Sequence, residues 1–197
     1  MKPAGPDPRK LLGDTFTYGE AKKAGVSDER LYRLRDTGAL SPLGGGVYRW
    51  ADAPLANPDM IEIAERVHRA TLCLETALAH HGLVDSIPTL VDIAIPRGST
   101  RPALKTPCRL HQFQQGTFEL GRHALEVGAR RPVGIYSAER SLVDIVRLRH
   151  LEGNDVAWEA LRRWLNRPGR SPAQLIELAR KFFGAEPALR RALEVLL

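Results

Sequence analysis

The sequence predicts an α+β fold in two parts, and three stretches predict it. The first is FTYGEAKKAGVSDERLYRLRDTGALSPLGGGVYRW over 16–50, where two short amphipathic patterns are split by Gly25 and followed by two apolar runs around three glycines. Helix, tight turn, helix and glycine-tipped hairpin, in that order, make a winged helix-turn-helix, which places one helix in a DNA major groove. The second stretch is LVDIAI over 90–95, a strand pattern stopped by Pro96. The third is the succession of helical patterns after Ser137. The expected organisation is a winged helix-turn-helix over 1–56. A mixed α/β domain follows over 57–197, with a small, mostly antiparallel sheet and C-terminal helices.

Each element has a local cause. Residues 1–8 hold three prolines and a glycine and read as a loose tail, with a short helix over 9–12. Thr17 caps a helix over 18–24, with Ala21 and Ala24 on its inner side, and Gly25 accepts the left-handed exit. Val26 is the buried turn residue. Ser27 caps the next helix, whose first turn carries Asp28 and Glu29 at the positive helix end. Leu31, Leu34 and Gly38 fall on its inner side, while Glu29, Tyr32, Arg33 and Asp36 face out, flanked by Arg30 and Arg35. Gly44, Gly45 and Gly46 form the tip of the wing.

Residues 51–58 read as a linker. Helices are expected over 59–69 and 72–81, strands over 90–95 and 109–113, and a hairpin pair over 123–127 and 133–136. Four further helices are expected over 138–150, 154–165, 172–183 and 186–196. Ser171-Pro172 supplies a cap followed by proline at the first helical position.

The totals narrow the class. At 197 residues and 43% hydrophobic, the chain can bury a core. Net charge is +6, which suits a polyanionic partner without requiring one. Two cysteines, Cys73 and Cys108, support neither a disulfide framework nor a four-ligand zinc site. No signal peptide is visible in MKPAGPDPRK, and no apolar run approaches a membrane span, so a cytoplasmic setting is expected.

The candidate DNA contacts follow from side-chain chemistry. Arginine can donate two hydrogen bonds to guanine O6 and N7, which nominates Arg33 and Arg30, with Arg35 alongside. Tyr32 can meet a thymine methyl or a phosphate. Ser27 and its neighbouring amides can hold a phosphate at the helix start. Lys22 and Lys23 on the first helix suit phosphate contacts that position without reading sequence, and a solvated helix face would look the same. Arg49 on the returning strand can enter the minor groove, and Gly45 lets the wing tip approach the backbone; a plain hairpin turn is the other reading.

These residues carry a resemblance. GEAKKAGVSDERLYRLRDTGAL followed by GGGVYR resembles the amino-terminal winged helix of AbiEi-type antitoxins. TALAHHGL at 76–83, IAIPRG at 93–98 and SAERSLVD at 137–144 look like that family's carboxy-terminal domain. The resemblance implies a repressor of its own operon that also neutralises a nucleotidyltransferase-like toxin. It further implies an inverted-repeat promoter site in double-stranded DNA, with self-association on that DNA. It implies no cofactor and no membrane.

Enzymatic readings fare poorly. A nucleotidyltransferase needs two metal-bridging carboxylates on one strand face, but the position two after Asp92 is Ala94. His80 and His81 are adjacent on a helix and point about 100° apart, so they are poor co-ligands. Glu139, Arg140 and Asp144 read as a structural network tying their helix to the sheet. The arginines at 162, 163, 167, 170, 180, 190 and 191, with Lys181, read as a second phosphate surface, a toxin-binding face or dispersed charge. The rival to an antitoxin is a ligand-responsive transcription regulator without a toxin. A nucleic-acid enzyme and a protein-interaction module are the other classes.

Overall fold

The computed structural model describes residues 7–152 and 154–196. Of the tail expected over 1–8, residues 1–6 lie outside these. Asp7 accepts from the Arg9 N–H at 3.0 Å and Pro8 takes the first helical position, which makes a short capped helix α1 (Pro8–Leu11). The chain divides into two compact units: the residues up to His68 with Glu126–Pro132, and Arg69–Leu125 with Val133–Leu197.

In the first unit, strand β1 (Thr15–Thr17) leads into helix α2 (Tyr18–Lys23) through a reciprocal cap. The Glu20 N–H donates to Thr17 Oγ1 at 3.2 Å, and the Thr17 N–H donates to Glu20 Oε2 at 2.7 Å. Gly25 makes the tight exit with φ +79°. Ser27 then caps α3 (Asp28–Asp36), its Oγ accepting the Arg30 N–H at 3.3 Å. Strands β2 (Leu40–Gly44) and β3 (Val47–Trp50) form the wing, with a bulge between Pro42 and Gly44.

The sheet order is β1-β3-β2, all antiparallel. Sequence reading left β1 out because three residues are too few to show a period. Phe16, Ala21, Val26, Leu31, Leu40 and Trp50 close the core, with the Phe16 ring 5.6 Å from that of Trp50. Leu31 is buried and Leu34 half-buried, as the helical spacing requires, but Gly38 is exposed. Its φ of +75° ends the α3 segment, so it belongs to the exit and not to the inner side.

Helix α4 (Pro58–Arg66), capped by Asn57, also belongs to this unit. Ile61, Glu62, Glu65 and Arg66 line a small cavity with Leu43 and Val47 of the wing. Residues 126–132 join here too. Arg130 donates to buried Glu65, N to Oε1 and Nε to Oε2, both at 2.7 Å, and Nη1 donates to Glu20 at 2.8 Å. Arg131 donates to the carbonyls of Ala64 and Glu65 at 3.1 and 2.9 Å, which satisfies carbonyls at the end of α4. The segment expected to be a linker at 51–58 therefore lies inside a compact unit.

The second unit contains β4 (Thr71–Leu72), α5 (Leu74–His80), β5 (Val91–Pro96), β6 (Cys108–Phe113), α6 (Gln115–Phe118), β7 (Arg122–Leu125) and β8 (Val133–Tyr136). Helices α7 (Ala138–Glu152), α8 (Asn154–Leu165), α9 (Pro172–Ala179) and α10 (Ala185–Leu196) complete it. The class is α+β, as expected, but the pairing corrects one expectation. In the order β6-β5-β4-β8-β7, the β5–β6 and β4–β8 pairs are parallel, while β4–β5 and β7–β8 are antiparallel. The sheet is thus mixed and not mostly antiparallel. The cause is β4: two residues, expected as the start of a helix, form the central strand, antiparallel to β5 on one side and parallel to β8 on the other.

The SAERSLVD segment ties α7 into the core. Ser137 Oγ accepts the Arg140 N–H at 3.2 Å. Arg140 is fully buried and donates to Asp144 at 2.7 Å and to the carbonyls of Thr117 and Leu120 at 2.7 and 2.8 Å. Its guanidinium lies 4.1 Å from the Phe182 ring centroid and 4.3 Å from that of Tyr136. The Tyr136 hydroxyl donates to the Phe118 carbonyl at 2.9 Å, and burial pushes the phenol well above its ordinary range.

Candidate nucleic-acid interface

The outer side of α3 is presented to solvent. The side chains of Arg33 and Glu29 are 67% and 85% exposed, and Tyr32 is 43% exposed. Each outward arginine there holds a local carboxylate. Arg33 Nη2 donates to Glu29 Oε1 at 2.9 Å, one helical turn back. Arg35 pairs with Asp36 at 2.8 Å, and its guanidinium lies 4.9 Å over the Tyr32 ring. Exposed pairs of this kind contribute about 0–1 kcal/mol, so an incoming base or phosphate can displace the carboxylate at small cost. Arg30 is half-buried near the capped end of α3.

Where α2 meets the start of α3, two side chains converge on one carboxylate. The Tyr18 hydroxyl donates to Asp28 Oδ1 at 2.6 Å, and Lys22 Nζ lies 3.3 Å from the same oxygen. The hydrogen bond from Tyr18, followed by that from Lys22, holds the Asp28 carboxyl below its ordinary range; the same bond raises the Tyr18 phenol. Lys22 is therefore oriented along the α2–α3 turn. Lys23 is exposed beside it and makes no side-chain hydrogen bond or ion pair among the described residues.

The wing tip is built as expected. Gly44, Gly45 and Gly46 have φ of +90°, +58° and +74°, so side chains there would be strained. Gly45 is exposed, and a Cβ on it would come within 3.1 Å of Arg66 Nη2. The cation beside the tip is thus Arg66 of α4, which also pairs with Glu62 at 3.4 Å. Sequence reasoning missed Arg66 because it lies 21 positions after Gly45 and carries no local signal.

Arg49 requires a correction. It is 9% exposed, and its guanidinium donates to Thr15 Oγ1 at 2.8 Å, to the Gly128 carbonyl at 2.5 Å and to the Pro54 carbonyl at 2.6 Å. It is a latch that joins β3 to β1 and to the segment 126–132. Reaching a minor groove would require breaking all three bonds, so it is no groove contact.

The remaining chemistry-bearing residues are engaged elsewhere. Buried Asp92 pairs with Arg109 and with His111 Nε2, both at 2.9 Å. His81 Nε2 donates to the Tyr136 carbonyl at 2.7 Å, which fixes its ring in the fold. Most C-terminal arginines already hold partners: Arg163 holds Asp85 and Glu159, Arg180 holds Glu177 and Glu186, Arg190 holds Glu186, and Arg167 holds the carbonyls of His81 and Gly82. That favours dispersed, paired charge over a continuous phosphate surface. Among the described residues, no helix is long and apolar enough to cross a membrane.

The fold has a solved counterpart. The crystal structure of the RV2827C protein from Mycobacterium tuberculosis aligns with 95% of this chain and 78% of its own, at 18% identity and a TM-score of 0.50. At that identity the likeness concerns the fold alone. No curated protein matches the chain. Residues 10–51, which hold α2, α3 and the wing, match the family described as "Transcriptional regulator, AbiEi antitoxin", the family that the sequence motifs resemble.

Proposed function

We propose that this chain is a sequence-specific DNA-binding repressor of its own operon and the antitoxin against a nucleotidyltransferase-like toxin. The single observation that carries the DNA reading is the exposed side of α3, bearing Tyr32 and Arg33, within the segment that matches the AbiEi regulator family. In this reading Arg33 and Arg30 read base edges, Tyr32 and Arg35 flank them, and the capped start of α3 at Ser27 receives a phosphate. Lys22 and Lys23 hold the backbone across the turn, and Gly45 brings the wing tip close to it. Residues 1–56 do the reading, and residues 57–197 carry the antitoxin role. Two copies sit on an inverted repeat, since a two-fold protein arrangement mirrors a two-fold site. The chain acts in the cytoplasm, without a cofactor and without catalysis.

A gel-shift titration against the region upstream of its own gene, with a scrambled duplex as competitor, tests the DNA reading. Preferential retention of the upstream duplex is expected, and equal affinity for both would overturn it. Co-expression with the neighbouring toxin gene tests the antitoxin role; growth arrest unrelieved by this chain would remove it.

A further inference from the structure

The second unit holds a cavity of about 360 Å³ that the DNA reading does not use. It is walled by β6 and the turn after it, by α7, by Arg97 beyond the end of β5, and by the segment between α9 and α10. Three cations face it: Arg97, Arg147 and Lys181. Among the described residues, no carboxylate lines it. The side chains of Arg97 and Lys181 make no ion pair or hydrogen bond among the described residues. Arg147 is oriented by one bond, Nε to buried Asp144 at 2.8 Å, and its two terminal nitrogens make none among the described residues. Arg97 and Lys181 depart from the rest of the second unit, where most arginines, Arg147 among them, hold a carboxylate or a carbonyl. Two cations without a carboxylate partner, gathered with Arg147 in one concave site, suit a polyanionic ligand.

The apolar part of the wall is aromatic. Phe113 and Phe182 are buried at its base, and the Phe113 ring lies 5.2 Å from the Arg147 guanidinium. Phe183 at the lip is 98% exposed, a large ring left wholly in water. His111 completes one wall with its Nε2 held 2.9 Å from Asp92, so its ring is fixed. The volume lies at the lower end of small-molecule pockets. A small carboxylate would use the cations and leave Phe183 idle. A ligand with several anionic oxygens at one end and a flat ring at the other uses both.

We propose that this cavity binds a nucleoside polyphosphate. Its phosphoryl oxygens are held by Arg97, Arg147 and Lys181, and its base stacks on Phe183. The site and the winged helix belong to different compact units, so this assignment and the DNA reading fail separately.

The test is calorimetric titration of the full chain with ATP, with inorganic tripolyphosphate and with adenosine, at physiological ionic strength. ATP is expected to bind, tripolyphosphate to bind about tenfold more weakly for want of the stacked base, and adenosine to bind most weakly. Arg97→Ala and Lys181→Ala remove exposed side chains outside the core and should each lower ATP affinity about tenfold or more while leaving the melting temperature unchanged. Phe183→Ala should weaken ATP and leave tripolyphosphate unaffected. Absence of ATP binding at millimolar concentration overturns the proposal. Equal binding of ATP and tripolyphosphate with a silent Phe183→Ala also overturns it, leaving a charge-only site. Unchanged ATP affinity in both cation variants places the ligand elsewhere and overturns it as well.

Discussion

Replacing Arg33 with alanine separates reading from folding. The side chain is 67% exposed, and its hydrogen-bonded partner in the structure is Glu29, one helical turn away at 2.9 Å. An exposed pair at that spacing contributes about 0.3–0.5 kcal/mol, and alanine is the better helix former, so Arg33→Ala should leave stability within about 0.5 kcal/mol of the parent. A bidentate arginine–guanine contact discriminates by about 1–3 kcal/mol, or ~5- to ~150-fold in the ratio of specific to non-specific affinity. The companion Glu29→Ala releases Arg33 and removes an anion from the phosphate-facing side, so it should raise affinity for every duplex. Fluorescence anisotropy titrations of the upstream and scrambled duplexes at one fixed salt concentration measure both ratios. An unchanged ratio for Arg33→Ala, in a protein whose urea midpoint is parental, would refute the assignment of Arg33 to base recognition.

Lys22→Ala with Lys23→Ala should weaken all duplexes about equally. It should also flatten the slope of log affinity against log salt by about 1.8, since each phosphate contact contributes ~0.9. Arg49→Ala should lower folding stability by about 1.5–3 kcal/mol in urea titrations, because it deletes a charged donor to Thr15, Gly128 and Pro54. DNA affinity per folded molecule should be unaltered; a large affinity loss in a stable variant would restore the groove role. Asp144→Ala should cost about 3–5 kcal/mol, since it strands the fully buried Arg140.

What could be read from sequence divides by the range of the cause. Thr17 with Glu20, Ser27, Gly25 and Ser171-Pro172 each act within a few residues, and each structural cap stands where the spacing puts it. The outward set on α3 follows from the helical period alone. The errors have distant causes. β4 is two residues long and is a strand only because β5 and β8 flank it. Thr71 and Leu72 therefore read as the start of the helix that in fact begins at Leu74. Arg49 looks like a wing arginine until Gly128, 79 positions later, supplies a carbonyl. Arg66 and the cavity at Arg97, Arg147 and Lys181 are invisible for the same reason: their members meet only in three dimensions.

The charge on α3 explains why the two DNA tests can be kept apart. The helix carries Arg30, Arg33 and Arg35 against Asp28, Glu29 and Asp36, three positive and three negative, which cancel. A neutral helix adds little to non-specific attraction, so on the proposed reading the sequence-independent part of binding falls to Lys22, Lys23 and the cation beside the wing tip. On the proposed reading its arginines are then left to discriminate, Arg33 and Arg35 giving up their local carboxylates only where a base edge offers a better geometry. On a wrong sequence the phosphates meet the acids of α3 unrelieved, and the same residues that permit reading become a penalty. On the proposed reading, specificity arises from withheld charge as much as from contact.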